Sequence, residues 1–490
     1  MATFIVLLIL FPIIGAALFL LGAVPAIFRG KRADFLAVLW SIITLIIALI
    51  VIYFSFGEKP LVFTWGNMPW IEGTANLFGA LIDPLSIIML SVVTIIGVLV
   101  IIFSTRYMSP DNKEHPVEKG RGGYYAWMLL FIGSMIGIAI APNLLQFLIF
   151  WELTTICSAA LIAYYETEKG FKAGFKALLM THVPGLFFFV AVALLFVYTK
   201  SFTFESINSL DSTIKTVVIL FLLISAWAKS AQAPFYTWLP DAMEAPTPIS
   251  AYLHAAAMVK AGVFLVARIV TSVYQIPAGI GLLIAIVGIL IMYVGLMFYF
   301  RQDDLKKLLA FSTITHLAYM FFGLGLGVLG STIALKGGLL HLICHAFSKT
   351  ILFLCVGIIA YLTGTRYISK LSGLYKSMPV VAFAFMVGVF SITGIPPFSC
   401  FWSKFLLIVG AIGMRNSLGI VFVILILVES IGSFYWFLKI SQKIFWGESK
   451  DNKKMHVPAV FQFVIITLVI LSLVAPFFGF KLLEGIGIKI

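Results

Sequence analysis

The sequence of 490 residues is 62% hydrophobic and only 11% charged, whereas soluble globular domains are about 45–50% apolar and about 25% charged. This composition excludes a large aqueous catalytic module, a nucleic-acid-binding domain and a disulfide-built secreted fold. In so apolar a chain, the formal net charge of +13 is first of all a signal of membrane topology. The sequence therefore predicts an all-α polytopic membrane protein.

Because a bilayer-spanning helix needs about 20 apolar residues, the chain has room for about 14 spans. The apolar runs and their interruptions predict spans at 3–28, 34–56, 82–104, 123–141, 143–165, 171–199, 214–240, 248–273, 277–300, 304–329, 331–362, 378–414, 417–446 and 457–480. The first run is longer than a signal-peptide core and lacks a basic lead-in, so we expect a membrane helix there. The four cysteines lie singly in apolar runs and are predicted to be small core side chains.

The predicted loops differ in their content of Lys and Arg. One alternate set, which includes Arg29, Lys306, Lys450, Lys453 and Lys454, holds roughly three times as many cations as the other set, which includes Arg268 and Lys489. Cytoplasmic loops are the ones enriched in Lys and Arg. This bias predicts that both termini lie outside a prokaryotic cytoplasmic membrane.

Charged side chains also fall inside the predicted spans, where a lysine costs about 2.5–3.5 kcal/mol on insertion scales and therefore faces a partner or a wet cavity. The lysines are Lys229, Lys260, Lys336, Lys349 and Lys404; the acids are Glu152 and Glu429, with Asp83 at the start of the third span; the histidines are His182, His254, His316, His341 and His345. Movement of protons or cations is the leading interpretation of this polar axis.

Three of these residues share one helix face. His341, His345 and Lys349 follow each other at i, i+4 and i+8, which aligns them along a single stripe. Histidine titrates near neutral pH, so the stripe could pass protons. The alternative is that these side chains bond carbonyls or water in a bundle core. Lys336, five residues before His341, is expected to reach the membrane surface near a helix end.

Prolines interrupt two spans that also carry lysines. Pro234 follows Lys229 in the seventh span, and Pro396 and Pro397 precede Lys404 in the twelfth. Paired broken helices of this kind are typical of inverted repeats with ion sites near the midplane. We expect two five-helix repeats, spans 4–8 and 9–13. The expected segments are 1–122 (three N-terminal helices), 123–273 (first repeat), 277–446 (second repeat) and 457–490 (C-terminal helix).

Several motifs resemble one family. The run APFYTWLPDAMEAPTPISAYLHAAAMVKAG at 233–262 resembles the signature of the antiporter-like subunits of respiratory complex I and its relatives. DDLKKLLAFSTITHLAYM at 303–320 and HAFSKTILF at 345–353 match further motifs of that family. MVKAG and TGTRYISKLSGL at 363–374 look closest to the large subunit of Mrp-type sodium/proton antiporters, and they also suit membrane-bound hydrogenase-like complexes.

The resemblance implies roles for matching residues. Glu152 resembles the glutamate that pairs with the lysine of span 7, here Lys229. Lys260, with His254 near it, resembles the central lysine of span 8. The resemblance further implies that His341, His345 and Lys349 connect the two halves and that Lys404 is the terminal residue. His316, Glu429 and Asp83 are weaker candidates.

The expected function is translocation of H⁺, Na⁺ or both by one subunit of a larger complex. The expected partners are small Mrp-type subunits and a second antiporter-like subunit; peripheral iron–sulfur or hydrogenase-like subunits could join them. The complex could be a hydrogenase-like or sulfur-reducing respiratory complex or a free-standing Mrp antiporter. A stand-alone cation/proton antiporter and an inert scaffold also stay open. We expect no cofactor, metal or redox site on this chain. The run THVPGL at 181–186 departs from the quinone-linked end subunits of complex I.

Overall fold

The computed structural model describes residues 1–21, 30–67, 76–448 and 455–486. Its helices and strands are α1 (Ala2–Leu21), α2 (Gly30–Ser55), β1 (Leu61–Asn67), β2 (Asn76–Ile82), α3 (Pro84–Tyr107), α4 (Arg121–Ala139), α5 (Leu144–Ile162), α6 (Glu168–Thr199), α7 (Ser212–Lys229), α8 (Trp238–Asp241), α9 (Thr247–Ala255), α10 (Met258–Ser272), α11 (Ala278–Tyr299), α12 (Leu305–Val328), α13 (Thr332–Thr363), α14 (Pro379–Thr393), α15 (Ser399–Ile412), α16 (Ser417–Trp446) and α17 (Ala459–Leu483). Short 3₁₀ turns lie at Glu205–Ser209, Ala242–Glu244 and Ile368–Lys370.

The predicted all-α membrane architecture is confirmed. Within the described residues, 13 helices are long and apolar enough to cross a membrane, with α9 and α10 counted as one. The shorter apolar helices α14 and α15 together fill the place of the predicted twelfth span. Residues 22–28 of the first predicted span lie outside the described residues, as do Arg29, Lys450, Lys453, Lys454 and Lys489. The division into two inverted repeats stays a prediction.

A β-hairpin, which is not among the predicted elements, occupies the connection between the second and third spans. β1 and β2 pair antiparallel, with Leu61 opposite Ile82 and Phe63 opposite Ala80. The hairpin is attached to the bundle because Leu81 N donates to Ile140 O at 2.8 Å and Gly79 N donates to the Gln146 side chain at 2.8 Å. It therefore closes one end of the α4–α5 pair.

In the part of the chain that the structure describes, three spans are interrupted. The two predicted breaks are confirmed: Pro234 lies between α7 and α8, and Pro396 and Pro397 lie between α14 and α15. The third break was not predicted, because α9 ends at Ala255 and α10 begins at Met258 in a run of alanines without proline or glycine. Non-helical backbone at membrane depth is tolerated only where protein or water covers it. All three breaks therefore mark the interior of the bundle.

The buried core is built around α13. This helix, α12 and the α9–α10 pair are covered along nearly their whole length, whereas α1, α2, α6 and α16 expose broad apolar faces. Close helix approaches depend on glycines, which have no side chain. A Cβ at Gly262 of α10 would lie 2.2 Å from Ala226 O of α7. This contact sets α10 directly against the C-terminal end of α7. The end of α7, which carries Lys229, therefore lies next to the first turns of α10, which carry Lys260.

We predict that Gly262→Ala lowers stability by about 1–3 kcal/mol, since the added methyl forces α7 and α10 apart. The matched control is Gly279→Ala in α11, where an added Cβ meets no atom within 4 Å. Thermal melting of the detergent-solubilised protein would measure the difference. Equal melting temperatures for the two variants would contradict the close approach of α7 and α10.

Candidate functional site

The first titratable pair lies between α5 and α6. His182 Nδ1 is 2.7 Å from Glu152 Oε2. The side chain of His182 is 49% exposed and that of Glu152 is 28% exposed, although both residues lie near the middle of long apolar helices. Space for the carboxylate comes from Gly185, where a Cβ would lie 2.8 Å from Glu152 Oε1. The pair therefore lies partly on the outer face of the bundle.

Lys229 is the last residue of α7 and is fully buried. Its Nζ donates to Trp151 O at 2.8 Å and makes a close hydrogen bond to Thr155 Oγ1, both on α5. The Trp151 ring lies 4.9 Å from the ammonium, which adds a cation–π contact. The negative end of the α7 dipole also favours positive charge here.

The arrangement around Lys229 differs from the expected pairing with Glu152. In the described part of the chain, the ion-pair partner of Glu152 is His182, and Lys229 is held by main-chain and hydroxyl oxygens of the same turn of α5. Glu152 thus contacts His182, while Trp151 and Thr155 of the same helix contact Lys229.

Lys260 lies in the first turn of α10, directly after the unpredicted break. It is fully buried, and its Nζ donates to Leu342 O of α13 at 2.6 Å. A link towards Lys229 runs through Ser230, whose Oγ donates to Val259 O at 2.7 Å. Directly after the break, Val259 therefore contacts Ser230 at the end of α7, whereas the next residue, Lys260, contacts α13.

A cluster of histidines follows on α12 and α13. His316 Nδ1 is 3.0 Å from His341 Nε2, and His341 Nδ1 is 2.8 Å from Ser403 Oγ of α15. The His345 ring lies 5.5 Å from the His316 ring, between centroids. The predicted stripe on α13 is therefore joined by His316, which the sequence analysis treats as a weaker candidate.

Lys349 and His254 flank this cluster. Lys349 Nζ donates to Leu309 O of α12 at 3.1 Å. His254 lies in the last turn of α9 with its ring 4.7 Å from the Phe353 ring of α13. Both side chains are fully buried. They place two further basic groups beside the connecting stripe.

The second carboxylate lies at the other end of the row. Lys404 Nζ is 4.0 Å from Glu429 Oε2, 3.0 Å from Ser430 Oγ and 3.3 Å from Thr393 O. Gly394, at φ +87°, leaves room for the lysine stem, since a Cβ there would lie 2.9 Å from Lys404 Cδ. Glu429 is fully buried, which makes it a partner of Lys404 rather than an isolated polar residue.

Two tyrosines complete the Glu429 environment. Tyr319 OH makes a close hydrogen bond to Glu429 Oε2, and Tyr299 OH donates to Oε1 at 3.3 Å. Tyr299 OH also bonds Ser433 Oγ at 2.7 Å. The carboxylate is therefore held by neutral donors as well as by the Lys404 charge, so a change in Lys404 leaves Glu429 with partners.

Several buried polar atoms along the row have no protein partner among the described residues. They are Trp151 Nε1, Gln232 Oε1, His316 Nε2 and both ring nitrogens of His254 and of His345. Buried polar groups are normally satisfied by protein or by ordered water, and internal water molecules typically bridge such groups. The row therefore offers donors and acceptors to water between the direct contacts.

Asp83 has a structural position away from this row. It caps α3 by accepting from Ser86 N at 2.8 Å, and its Oδ2 lies 2.5 Å from Arg268 Nη1. The Arg268 side chain is only 1% exposed, so assigning Arg268 to a loop was wrong. This ion pair, in which the arginine is buried and Asp83 is partly exposed, ties α3 to α10.

Lys306 was also assigned to a loop and is buried instead. Its Nζ donates to Ala245 O at 2.6 Å. Next to it, Arg366 binds Asp304 at 2.8 Å and Glu114 at 3.3 Å. In the same region, burial lowers the pKa of His115, although Glu114 opposes the shift. These charges join the loop after α3 to the ends of α12 and α13.

The structure thus brings together most of the predicted site residues and adds groups that the sequence analysis missed. The sequence did not reveal that His182 is the partner of Glu152. It also did not reveal the hydroxyl groups that contact the row, which belong to Thr155, Ser403, Tyr299, Tyr319 and Ser430. His182 carried a usable signal, since it is a histidine in the middle of an apolar span. The hydroxyl residues carried none, because serine, threonine and tyrosine are common in buried helices.

The family profile described as "NADH:quinone oxidoreductase/Mrp antiporter, TM" matches residues 141–429. A second profile, "NADH-Ubiquinone oxidoreductase (complex I), chain 5 N-terminus", matches residues 70–115. The first match covers the whole row from Glu152 to Glu429. The chain belongs to this family of transmembrane subunits.

Curated relatives agree with this family membership. The chain is 36% identical over 439 residues to a Na(+)/H(+) antiporter subunit of Alkalihalophilus pseudofirmus, a match that covers 84% of this chain and 54% of that protein. It is 37% identical over 410 residues to the chloroplastic NAD(P)H-quinone oxidoreductase subunit 5 of Chaetosphaeridium globosum, covering 79% of this chain and 58% of that one. The chain spans little more than half the length of these relatives.

Two solved structures share the fold. The Mrp complex from Dietzia sp. DQ12-45-1b contains a chain that is 30% identical, with a TM-score of 0.83 over 96% of this chain and 50% of that chain. The archaeal membrane-bound sulfane sulfur reductase contains a chain that is 22% identical, with a TM-score of 0.83 over 98% of this chain and 96% of that chain. The second likeness is one of fold alone.

We predict that Asp83→Asn keeps the α3 cap but destabilises the protein by about 3–5 kcal/mol, because Arg268 remains buried without its counter-ion. The double variant Asp83→Asn, Arg268→Met should recover most of this loss. The melting temperature and the yield of folded protein in the membrane would measure both effects. A double variant no more stable than Asp83→Asn would contradict a structural ion pair.

Proposed function

We propose that this chain is an ion-translocating subunit that moves protons along the buried row from Glu152 to Glu429. The observation that carries the proposal is the continuity of the row: four fully or nearly fully buried lysines and a histidine cluster link a carboxylate at one end to a carboxylate at the other. Intramembrane ionisable residues commonly mark ion and proton pathways. Membership of a family that includes antiporter and quinone-oxidoreductase subunits supports the same conclusion.

The first half of the mechanism depends on Glu152 and Lys229. When the carboxylate approaches Lys229, it stabilises the protonated amine; when it moves away, burial favours the neutral amine and the proton is released. Water along Ser230 and Gln232 would carry that proton towards Lys260. Glu152 thus acts as a switch at the entrance of the row.

The second half connects Lys260 to Lys404. The histidine cluster offers neutral imidazoles that can accept a proton on one nitrogen and release one from the other. His341 contacts Ser403, the residue before Lys404, so a proton that reaches the cluster lies beside the terminal lysine. Since these groups interact, each apparent titration belongs to the set and not to one residue.

The outer face of α6 supports association with other membrane subunits. His182 and Glu152 expose 49% and 28% of their side chains near the middle of apolar membrane helices, where contact of an ionisable pair with lipid is unfavourable. Neighbouring exposed residues such as Val183 and Leu186 are apolar. A second membrane protein chain that covers this face would remove the pair from lipid.

We further propose that this chain is part of an Mrp-type antiporter module, and that this module belongs to a hydrogenase-like or sulfur-reducing respiratory complex. The 30% identity to an Mrp complex chain supports the antiporter module, and the fold shared with a sulfane sulfur reductase chain is compatible with a respiratory complex. A free-standing Mrp Na⁺/H⁺ antiporter is the second candidate, favoured by the relative from Alkalihalophilus pseudofirmus, which bears the name of a Na(+)/H(+) antiporter. The charge bias of the loops supports a cytoplasmic membrane location with both termini outside.

We predict that Lys229→Met and Glu152→Gln each reduce ion exchange at least tenfold without loss of assembly. The matched control is Lys336→Met, on the same helix as the histidine stripe but only half-buried. Exchange would be measured as ion-driven pH change in liposomes that contain the purified complex. Wild-type exchange by either of the first two variants, with assembly verified, would contradict the proposed path.

We predict that a tagged copy of this chain, solubilised mildly from its native membrane, brings other membrane subunits with it. Iron–sulfur and metal-binding subunits among them would identify a redox-driven complex, whereas small hydrophobic subunits alone would identify an antiporter. A chain that elutes alone and still exchanges ions in liposomes would contradict the proposal of a complex with several subunits.

A further inference from the structure

His182 contacts the Glu152 carboxylate, and Lys229 contacts the residues of α5 next to Glu152. His182 Nδ1 is 2.7 Å from Glu152 Oε2, while Lys229 bonds Trp151 O and Thr155 Oγ1 in the same turn of α5. Resting on the proposed function, we propose that His182 competes with Lys229 for the Glu152 carboxylate and so controls the entrance of the row. His182 is a positioning residue in this scheme, since it acts on Lys229 only through Glu152.

Two residues of α6 close to His182 favour its contact with Glu152. Gly185 lies three residues further along α6 and gives the carboxylate its space; a Cβ there would lie 2.8 Å from Glu152 Oε1. Pro184 lies within the continuous helix at the same turn, and its carbonyl accepts from Ser225 Oγ of α7 at 2.7 Å. This segment of α6 is thus anchored to the lysine helix and open to the glutamate.

The protonation chemistry follows from the contact geometry. The Nδ1–H of His182 donates to the carboxylate, so the proton that comes and goes is the one on Nε2. With both nitrogens protonated, the contact is an ion pair as well as a charge-assisted hydrogen bond. When Nε2 releases its proton to water at the boundary with the covering subunit, the neutral imidazole keeps its hydrogen bond to Glu152 but loses the attraction between the two charges. The carboxylate is then free to move to Lys229.

Other charges on neighbouring elements are few and are mostly engaged elsewhere. The elements packed against α6 carry Glu152 on α5, Lys215 and Lys229 on α7, Asp241 on α8, Glu205 and Glu244 on the 3₁₀ turns. Asp241 binds Lys176, which lies six residues before His182 on α6. Among these groups in the described part of the chain, Glu152 is the one in hydrogen-bond contact with His182. Glu152 is therefore the group whose interactions change directly with the charge of His182.

The test measures ion exchange by the intact complex in liposomes between pH 6 and pH 8. Glutamine can donate a hydrogen bond to Glu152 but cannot gain a proton. We expect His182→Gln to remain active and to reduce the ratio of the rates at pH 8 and pH 6 at least threefold towards unity. The matched control is His456→Gln, an exposed histidine outside the spans, which should keep the wild-type profile.

Gly185→Ala provides a second, independent variant. Its methyl displaces the carboxylate from His182, so adding His182→Gln to it should change the pH profile little, as expected for two residues acting on one contact. The proposal is overturned if wild-type exchange is independent of pH, if His182→Gln keeps the wild-type profile, if it abolishes exchange at every pH, or if the effects of the two substitutions add independently. A wild-type complex that moves no ions would instead refute the proposed function itself.

Discussion

The structure depends on how it holds lysine side chains in a medium that disfavours charge. Moving an ion from water into the protein interior costs several kcal/mol even after relaxation. Lys229, Lys260 and Lys349 meet this cost with main-chain carbonyls of neighbouring helices, and Lys404 bonds the carbonyl of Thr393. A carbonyl stabilises an ammonium without fixing it as a carboxylate would. Such lysines can be held in either protonation state, which a relay requires.

Carboxylates lie at the two ends of the row, and their environments differ. Glu429 is fully buried, with Lys404 4.0 Å away and two tyrosines as donors. Glu152 is partly exposed and paired with a histidine. One end therefore has a carboxylate already beside its lysine, whereas the other has a carboxylate held away from it. Because of this asymmetry, the Glu152 carboxylate can change its partner, whereas the Glu429 carboxylate is held in place by several partners.

The sequence predicted the spans and two of the three helix breaks, because apolar length and proline leave local signals at Pro234 and Pro396. It also predicted the buried lysines, since a charge in an apolar run is conspicuous. The break between Ala255 and Met258 could not be predicted, because alanine favours helix and only tertiary packing interrupts it there. Lys306 and Arg268 were misplaced for a related reason: a cation near a span end looks like a loop residue until the groups that bury it are known.

The measurement that tests the central claim most directly is reconstitution of the intact complex into liposomes with a trapped pH dye, followed by an imposed Na⁺ gradient. The account predicts an internal pH change that a protonophore dissipates, because the buried row carries protons across the membrane. Liposomes that hold their internal pH as steadily as empty ones, with the complex inserted and intact, would contradict it.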